Sequence, residues 1–342
     1  MAKRLIFSDL HFGDPQCSLR REAVTTGLRD FLRGLGPVEE LILAGDILDA
    51  NISSLTTAIE GVKGSGTWPK QMGFRQWLAF LFADAGFTVN RIVYLPGNHD
   101  YIIWNILSTD QAFVQPISQG KVPTGLPLMS GVFPAPFIRG VAPKERRDLF
   151  VVVYPDYEFI LSGRQIFVTH GHYLDDKQTL FKDLAEMVRK EGGDEAKAVR
   201  KFFISTAQYQ AVANAISYLK GSRTLVEKVY KALDGFWSMF GKLRNQPIDD
   251  EMLSAIDLYL RHFAKKQPDV FIFGHTHEAG HTFTNPSDKD GRKVEVWNNG
   301  GFLEVVDLNL AGTFLLAEDD GARGKITLYE VTLDGQIREK KS

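Results

Sequence analysis

Residues 88–100 read Thr88-Val-Asn-Arg-Ile-Val-Tyr-Leu-Pro-Gly-Asn-His-Asp100, an apolar run that ends in a group of polar residues. Residues 88–95 have the length and composition of a buried strand, and Gly97 permits a sharp turn directly after it. An amide, an imidazole and a carboxylate therefore follow the carboxyl end of this strand. In open α/β sheets, ligands bind beyond the carboxyl ends of the strands. The stretch predicts an α/β sheet with a functional site at that edge.

Four other predicted strands end on chemically active residues in the same way. They are followed, in chain order, by Asp9-Leu-His11, Gly45-Asp46-Ile-Leu-Asp49, His170-Gly-His172 and Gly274-His275-Thr-His277. In the first and last of these segments, the alternation of an extended chain puts both outer side chains on the same side. We therefore expect five segments to bring carboxylates, imidazoles and one amide to a single place.

The rest of the chain alternates between strand and helix patterns, which favours βαβ units and a mostly parallel sheet. The predicted elements are strands over 3–8, 40–44, 150–154, 158–161, 165–169, 270–273, 294–297, 303–308, 313–317 and 326–331, and helices over 19–35 and 71–85. Residues 109–148 are rich in Gly and Pro and are predicted to be irregular. Only helical patterns occur between Tyr173 and Pro268. The sequence thus predicts a core of residues 1–172 and 269–335 that is interrupted by a helical insertion over 173–268.

The composition is that of a globular protein, with 342 residues of which 44% are hydrophobic and 24% charged. The net charge of -2 gives no general attraction to nucleic acid or to an anionic membrane. A single cysteine, Cys17, excludes a disulfide framework and a cysteine zinc site. No apolar run approaches the roughly 18 residues of a membrane span. The apolar start of the chain stops at Ser8, too early for a signal peptide, so we expect a cytoplasmic protein.

The gathered side chains suit a pair of divalent cations. Two cations roughly 3.5–4 Å apart can clamp a phosphoryl group and stabilise both its attacking and its leaving oxygen. Each cation needs several nitrogen or oxygen ligands, and one carboxylate can bridge both. Imidazole and carboxylate ligands together suit Mn, Fe or Zn, and the residues do not select among these metals.

The five blocks D-x-H, G-D-x-x-D, G-N-H-[DE], a later histidine and G-H-x-H occur here in that order. In this respect the chain resembles the calcineurin-like metallophosphoesterases over about residues 3–310. The resemblance implies a four-layer αββα sandwich of mixed sheets with a helical insertion. It also implies a metal-dependent hydrolase of phosphate esters or anhydrides, in which a hydroxide that bridges two metal ions attacks phosphorus in line.

Carried over position by position, the resemblance assigns roles to nine side chains. Seven would hold metal: Asp9, His11 and His277 at one ion, Asn98, His170 and His275 at the other, and Asp46 between the two. His99 resembles the catalytic histidine, which protonates or stabilises the leaving oxygen. Asp49 resembles the carboxylate that orients this histidine, and Trp297-Asn-Asn-Gly-Gly301 resembles a turn near the family's site.

Several alternatives remain open at this point. His170 fits the family pattern better than His172, which would then contact substrate or be an ordinary polar residue. The basic and aromatic stretch 197–244 is interpreted as an amphipathic helical hairpin, or else as a lid over a phosphorylated substrate. We expect the substrate to be a phosphorylated small molecule, free or lipid-linked, that is cleaved as a monoester, a diester or a pyrophosphate.

Three other functions compete with a general phosphoesterase. The UDP-2,3-diacylglucosamine pyrophosphohydrolases share the D-L-H start and the helical insertion, but they are shorter and usually have Arg where this chain has His99. A nuclease would need an extended basic track, which the net charge of -2 disfavours. A non-catalytic scaffold with a phosphoesterase fold should have lost metal ligands, and all of the motif residues are present.

Overall fold

The computed structural model describes residues 2–83, 86–123, 128, 130–134, 136–174, 248–263, 267–284, 293–322 and 324–340. The chain divides into two compact units: Met1–Gly171, Pro268–Gly280 and Val294–Ser342 form the first, and His172–Gln267 and His281–Lys293 the second. Most of the predicted insertion lies outside the described residues, so its helical structure stays a prediction. None of the described helices is long and apolar enough to span a membrane.

Thirteen strands are described, and apart from the last three residues of β9 they belong to the first unit. They are β1 Lys3–Phe7, β2 Val38–Ala44, β3 Val89–Leu95, β4 Gly131–Pro134, β5 Phe150–Tyr154, β6 Asp156–Leu161, β7 Arg164–Thr169, β8 Val270–Phe273, β9 Gly280–Phe283, β10 Glu295–Asn298, β11 Leu310–Glu318, β12 Lys325–Thr332 and β13 Ile337–Glu339.

The described residues include seven α-helices. They are α1 Glu22–Leu35, α2 Leu55–Glu60, α3 Phe74–Phe82, α4 Ile102–Thr109, α5 Gln115–Ser118, α6 Pro136–Arg139 and, in the second unit, α7 Asp250–Phe263. A π-helical turn, Asp110–Val114, connects α4 to α5.

The larger sheet has the order β13-β12-β11-β1-β2-β3-β5-β4. Its centre is parallel from β1 through β2 and β3 to β5, whereas β4 and the three C-terminal strands run antiparallel to their neighbours. In the smaller sheet, β7, β8 and β10 are parallel and β6 is antiparallel to β7. The prediction of an α/β sandwich of mixed sheets is confirmed.

The two sheets share a core that follows from side-chain alternation along each strand. On β1, Ile6 lies in this core, while the next residue, Phe7, contacts Trp77 of α3 on the other face with ring centroids 6.1 Å apart. The core side chains come from both sheets and include Ile6, Ile42, Val93, Val168, Ile272 and Trp297. Burial of these side chains therefore holds the two sheets against each other and sets the positions of the ends of their strands.

Two predictions of local structure are wrong. Residues 109–148 are not irregular throughout, because the helical turns after Thr109, strand β4 and helix α6 lie within them. Residues 303–308 do not form a strand: the chain makes a 3₁₀ turn, Val306–Leu308, and Asn309 in the left-handed conformation (φ 49°) reverses it. Val306 and Leu308 are 66% and 70% exposed, so their apolar character did not mark a buried strand.

Candidate metal centre

The segments that follow the parallel strands lie side by side and are joined by backbone hydrogen bonds. The N–H groups of Asp9 and His11 donate to the carbonyls of Gly45 and Asp46, each at 2.9 Å. The N–H of Gly274 donates to the carbonyl of His170 at 3.0 Å, which joins two segments of the smaller sheet. The carboxyl ends of β1, β2, β3, β7 and β8 thus meet at one edge, as the sequence predicts.

Asp9, His11 and His277 form the first cluster, with one potential ligand atom from each residue lying within 4.8 Å of the others. His277 Nε2 is 3.2 Å from Asp9 Oδ1, and His11 Nε2 is 3.9 Å from the same oxygen. The two Nε2 atoms are 3.1 Å apart. Three donor atoms therefore converge on a space the size of an ion.

Asp46, His170 and His275 form the second cluster, again with one potential ligand atom from each residue lying within 4.8 Å of the others. His170 Nε2 lies 3.2 Å from Asp46 Oδ2 and 3.0 Å from Asn98 Oδ1. Asp46 Oδ2 also lies 4.0 Å from His11 Nε2 in the first cluster. Asp46 is thus the carboxylate that faces both clusters.

The hydrogen bonds behind the imidazoles determine which nitrogen faces the centre. His170 Nδ1 lies 3.0 Å from the carbonyl of Ala44, so Nδ1 carries the hydrogen. In the neutral ring, Nε2 would then point a lone pair at the oxygens of Asp46 and Asn98, a contact between acceptors. A cation between these atoms, or a second proton on the ring, removes that conflict. The donor set therefore fits a metal ion.

The charges of the site also favour a bound cation. Asp9 and Asp46 are 0% and 1% exposed, and buried carboxylates require a compensating positive charge. Burial alone would raise the pKa of both, but the neighbouring imidazoles, His277 for Asp9 and His170 for Asp46, outweigh it and lower both pKa values. The site is thus built to hold ionised carboxylates next to positive charge.

The backbone at the candidate ligands has an unusual conformation. Seven described non-glycine residues have positive φ, and five of them are candidate ligands: Asp9, His11, Asp46, His275 and His277, with φ between 50° and 71°. This region is sparsely populated by residues with a side chain, and such conformations concentrate at functional sites. The strain is local to the ligand-bearing loops, which indicates that the fold fixes the direction of these side chains.

Two glycines, which have no side chain, allow the backbone to approach the carboxylates of Asp46 and Asp9 closely. A Cβ atom on Gly97 would lie 2.2 Å from Asp46 Oδ1, and one on Gly274 would lie 2.4 Å from Asp9 Oδ2. Contacts this short do not occur for real side chains. The glycines of the G-N-H-D and G-H-x-H blocks are therefore needed for the close approach of backbone to carboxylate.

Asp49 contacts both His11 and His99 through one oxygen. Its Oδ2 lies 3.1 Å from Nδ1 of each ring; the contact to His11 is a well-aligned hydrogen bond, and the contact to His99 is an ion pair without that alignment. Burial would lower the pKa of His99, but the charges of Asp49 and Asp46 outweigh it and raise the pKa to about 10. The side chain of His99 is 22% exposed, so its imidazolium is within reach of a ligand.

Asp100 is the functional neighbour that sequence reasoning missed. Its carboxylate accepts hydrogen bonds from Tyr94 Oη at 2.5 Å, from Gly97 N at 2.5 Å and from Ile47 N at 2.9 Å. It thereby joins the segment that carries Asp46 to the one that carries His99. Burial and the nearby Asp46 charge raise its pKa to about 6. Its place as the last residue of G-N-H-D was the signal that could have identified it.

The two clusters do not include His172, His281, Cys17 or Asp14. His172 and His281 belong to the second unit. Cys17 is buried, and burial raises the pKa of its thiol to about 12, in keeping with an inert side chain. Asp14 accepts a hydrogen bond from Gln16 N at 2.6 Å, which is the geometry of a turn residue.

Comparison with known proteins assigns the chain to a family. A family model described as calcineurin-like phosphoesterase matches residues 2–279, and the chain belongs to this family. A solved structure of a predicted phosphoesterase from Streptococcus pneumoniae TIGR4 is similar at 11% identity and a TM-score of 0.32, covering 100% of this chain and 99% of that one. Vps29 from Chaetomium thermophilum is similar at 10% identity and a TM-score of 0.37, covering 100% and 95%. The search of curated proteins gave no match.

Proposed function

We propose that this protein hydrolyses phosphate esters or anhydrides with two divalent metal ions. The observation that carries the proposal is a pair of neighbouring clusters, each with converging imidazole and carboxylate donors, with Asp46 Oδ2 of the second lying 4.0 Å from His11 Nε2 of the first. Membership of the calcineurin-like phosphoesterase family supports the same reaction class. The proposed substrates are phosphorylated small molecules, free or lipid-linked, because the phosphoryl group is the part that such a centre recognises.

Seven side chains would hold the ions. The first ion would take Asp9, His11 and His277, the second Asn98, His170 and His275, and Asp46 would serve both. When bound, two such ions supply Lewis-acid charge for phosphoryl oxygens and lower the pKa of a water molecule. Mn, Fe and Zn all suit this mixture of nitrogen and oxygen ligands.

His99 is the proposed proton donor to the leaving oxygen. Its Nδ1 faces Asp49, which leaves Nε2 on the side of Asp46, 4.0 Å from Asp46 Oδ2. A histidine in this position can give its Nε2 proton to an oxygen that leaves phosphorus as the ester bond breaks. Asp49 holds the ring in place, and its other oxygen is fixed by the N–H groups of Ile52 at 2.9 Å and Asn51 at 3.2 Å.

The proposal is tested by measuring hydrolysis of p-nitrophenyl phosphate and of its bis-ester. Wild-type protein is stripped with a chelator and then supplied with Mn, Fe, Zn, Co or Ni in turn. We expect release of nitrophenol from at least one ester, with activity lost on chelation and regained with metal. A screen of nucleotides, nucleotide sugars and phospholipids under the best metal then identifies the substrate class. No hydrolysis of any of these compounds with any of the five metals would refute the proposed function.

A further inference from the structure

The turn of residues 298–301, directly after β10, contacts both of the loops that supply the first cluster. We call residues 8–11 the first ligand loop and residues 274–277 the second ligand loop. Asn298 and Asn299 are both 0% exposed, and each uses its side-chain amide on one of the two loops. Neither asparagine is itself among the candidate ligands.

Asn298 fixes the second ligand loop. Its Nδ2 donates to Thr276 Oγ1 at 2.5 Å, and its Oδ1 accepts from Gly300 N at 3.0 Å. Thr276 is the residue between His275 and His277. Since both ends of the amide are used, Asn298 is held by its own turn while it holds the residue between the two imidazoles.

Asn299 fixes the first ligand loop. Its Nδ2 donates to Ser8 Oγ at 3.0 Å, and Ser8 Oγ donates to the carbonyl of Gly300 at 2.9 Å. Ser8 directly precedes Asp9. The residue after the turn adds a further link, because Phe302 N donates a hydrogen bond to the carbonyl of Asp9 at 2.9 Å.

The Asp9 carboxylate links the two ligand loops as well. His275 N lies 2.9 Å from Asp9 Oδ2 and 3.2 Å from Asp9 Oδ1. The turn therefore connects two loops that already touch at a candidate ligand, and a small displacement of either loop changes the geometry of Asp9. Buried hydrogen bonds of this kind orient metal ligands, and their loss typically weakens metal binding by about 10–100-fold.

We propose that Asn298 and Asn299 are positioning residues of the metal centre, and that they act mainly on the ion of the first cluster. All three ligands of that cluster lie on the two ligand loops. The second cluster takes only His275 from the second ligand loop and takes Asp46 and His170 from other segments, and His170 is held independently by the carbonyl of Ala44 at 3.0 Å. The inference rests on the proposed two-metal function.

The test is a titration of the metal-free full-length protein with Co²⁺, followed by its visible absorption and by calorimetry. We expect wild-type protein to bind two ions. In Asn298→Ala, in Asn299→Ala and in Thr276→Val, we expect one ion to bind about 10–100-fold more weakly and the other to keep its affinity within about threefold. Thr276→Ser keeps the hydroxyl and should restore wild-type binding. The double variant of Asn298→Ala with Thr276→Val should bind no more weakly than Asn298→Ala alone, because Asn298→Ala already removes the contact to Thr276.

Thr25→Val is the matched control. It removes a buried side-chain hydrogen bond, from Thr25 Oγ1 to the carbonyl of Leu19 at 2.7 Å, outside the metal centre. It should lower the melting temperature about as much as Asn298→Ala while both Co²⁺ affinities and the absorption spectrum stay unchanged.

The outcomes distinguish a failure of this inference from a failure of the proposed function. Wild-type protein that binds two ions, together with Asn298, Asn299 and Thr276 variants of unchanged affinity and spectrum, would overturn this inference and leave the proposed function standing. Equal weakening of both ions would also overturn it, because the selectivity for the first cluster would be absent. Wild-type protein that binds no Co²⁺ would contradict the proposed function and this inference with it.

Discussion

Asp49 contacts two imidazoles with a single oxygen, and it thereby connects the proposed metal binding of the site to the proposed proton transfer. His11 is a candidate metal ligand and His99 is the proposed proton donor, and both Nδ1 atoms lie 3.1 Å from Asp49 Oδ2. The sequence pattern related Asp49 to His99 only. The contact to His11 was not predictable, because it joins residues 38 positions apart on different segments.

Replacement of His99 separates catalysis from metal binding. We expect His99→Asn to lower kcat about 10²–10⁴-fold, the usual effect of a lost general acid, while both metal ions stay bound. Steady-state kinetics with the best nitrophenyl ester and elemental analysis of the same sample provide the measurement. Undiminished kcat in this variant would remove His99 from the mechanism, and loss of metal would make it a ligand instead.

The charge of the metal-free site depends on pH. The folded protein raises the pKa of His170 to about 9, because the Asp46 carboxylate outweighs the effect of burial, whereas an unfolded imidazole titrates near pH 6.5. A raised pKa means that folding binds the proton more tightly. The stabilisation of the fold by protonated His170 is complete below pH about 6.5 and is lost as the pH rises through about 9.

We therefore expect His170 to stabilise the chelator-treated protein less at pH 10 than at pH 7. The measurement is the difference in melting temperature between wild-type protein and His170→Asn, recorded from pH 6 to 10 with EDTA present. The difference should shrink as the pH rises, while titration elsewhere affects both proteins alike. A difference that stays constant or grows across this range would contradict the assigned direction of the pKa.

At the scale of single elements, the ligand-bearing loops after β2, β3 and β8 each combine a strand end with a glycine, at 45, 97 and 274, where a side chain would collide with its surroundings. The strand-end positions of the motifs were predictable, because β1, β2, β3, β7 and β8 consist of short apolar runs that stop at polar residues. The helical turns after Thr109 were not, since their sequence is mixed and includes Pro116. The 3₁₀ turn at Val306–Leu308 was mistaken for a strand because exposed apolar residues have no signature that distinguishes them from buried ones.

Alanine at Gly97 tests the turn that follows β3. The added Cβ would lie 2.2 Å from Asp46 Oδ1, so either the loop or the carboxylate must move. We expect Gly97→Ala to lose metal affinity and activity together, by at least about tenfold. The measurements are the Co²⁺ titration and the rate of nitrophenyl ester hydrolysis.

Gly34→Ala is the matched control, because Gly34 lies in α1 and a Cβ there meets nothing within 4 Å. Alanine at such a helical position should stabilise the protein by about 0.4–1 kcal/mol and leave metal binding unchanged. If Gly97→Ala bound Co²⁺ like Gly34→Ala, the proposed close approach of backbone to carboxylate would be wrong.

At the scale of the whole first unit, two mixed sheets hold the site at one edge. The core side chains between the sheets set the spacing of β1–β3 against β7 and β8, and so place His170 and His275 opposite Asp9 and Asp46. The strand-end motifs predicted that these segments meet at one edge, and the family resemblance implied the sandwich of mixed sheets, while the roles of the nine site residues stay predictions. The sequence could not predict contacts between separate segments, such as Ile47 N to Asp100 and Asn299 to Ser8, because these join residues far apart in the chain.

The number of metal ions bound per chain is the most direct test of the central claim that two ions share Asp46. Wild-type protein and Asp30→Asn should each bind two ions at equilibrium, since Asp30 is a 53% exposed side chain on α1. Asp46→Asn should bind both ions more weakly, and retain fewer than two at a metal concentration that saturates the other proteins. If Asp46→Asn kept two ions with wild-type affinity, Asp46 would not be a shared ligand and the proposed centre would be wrong.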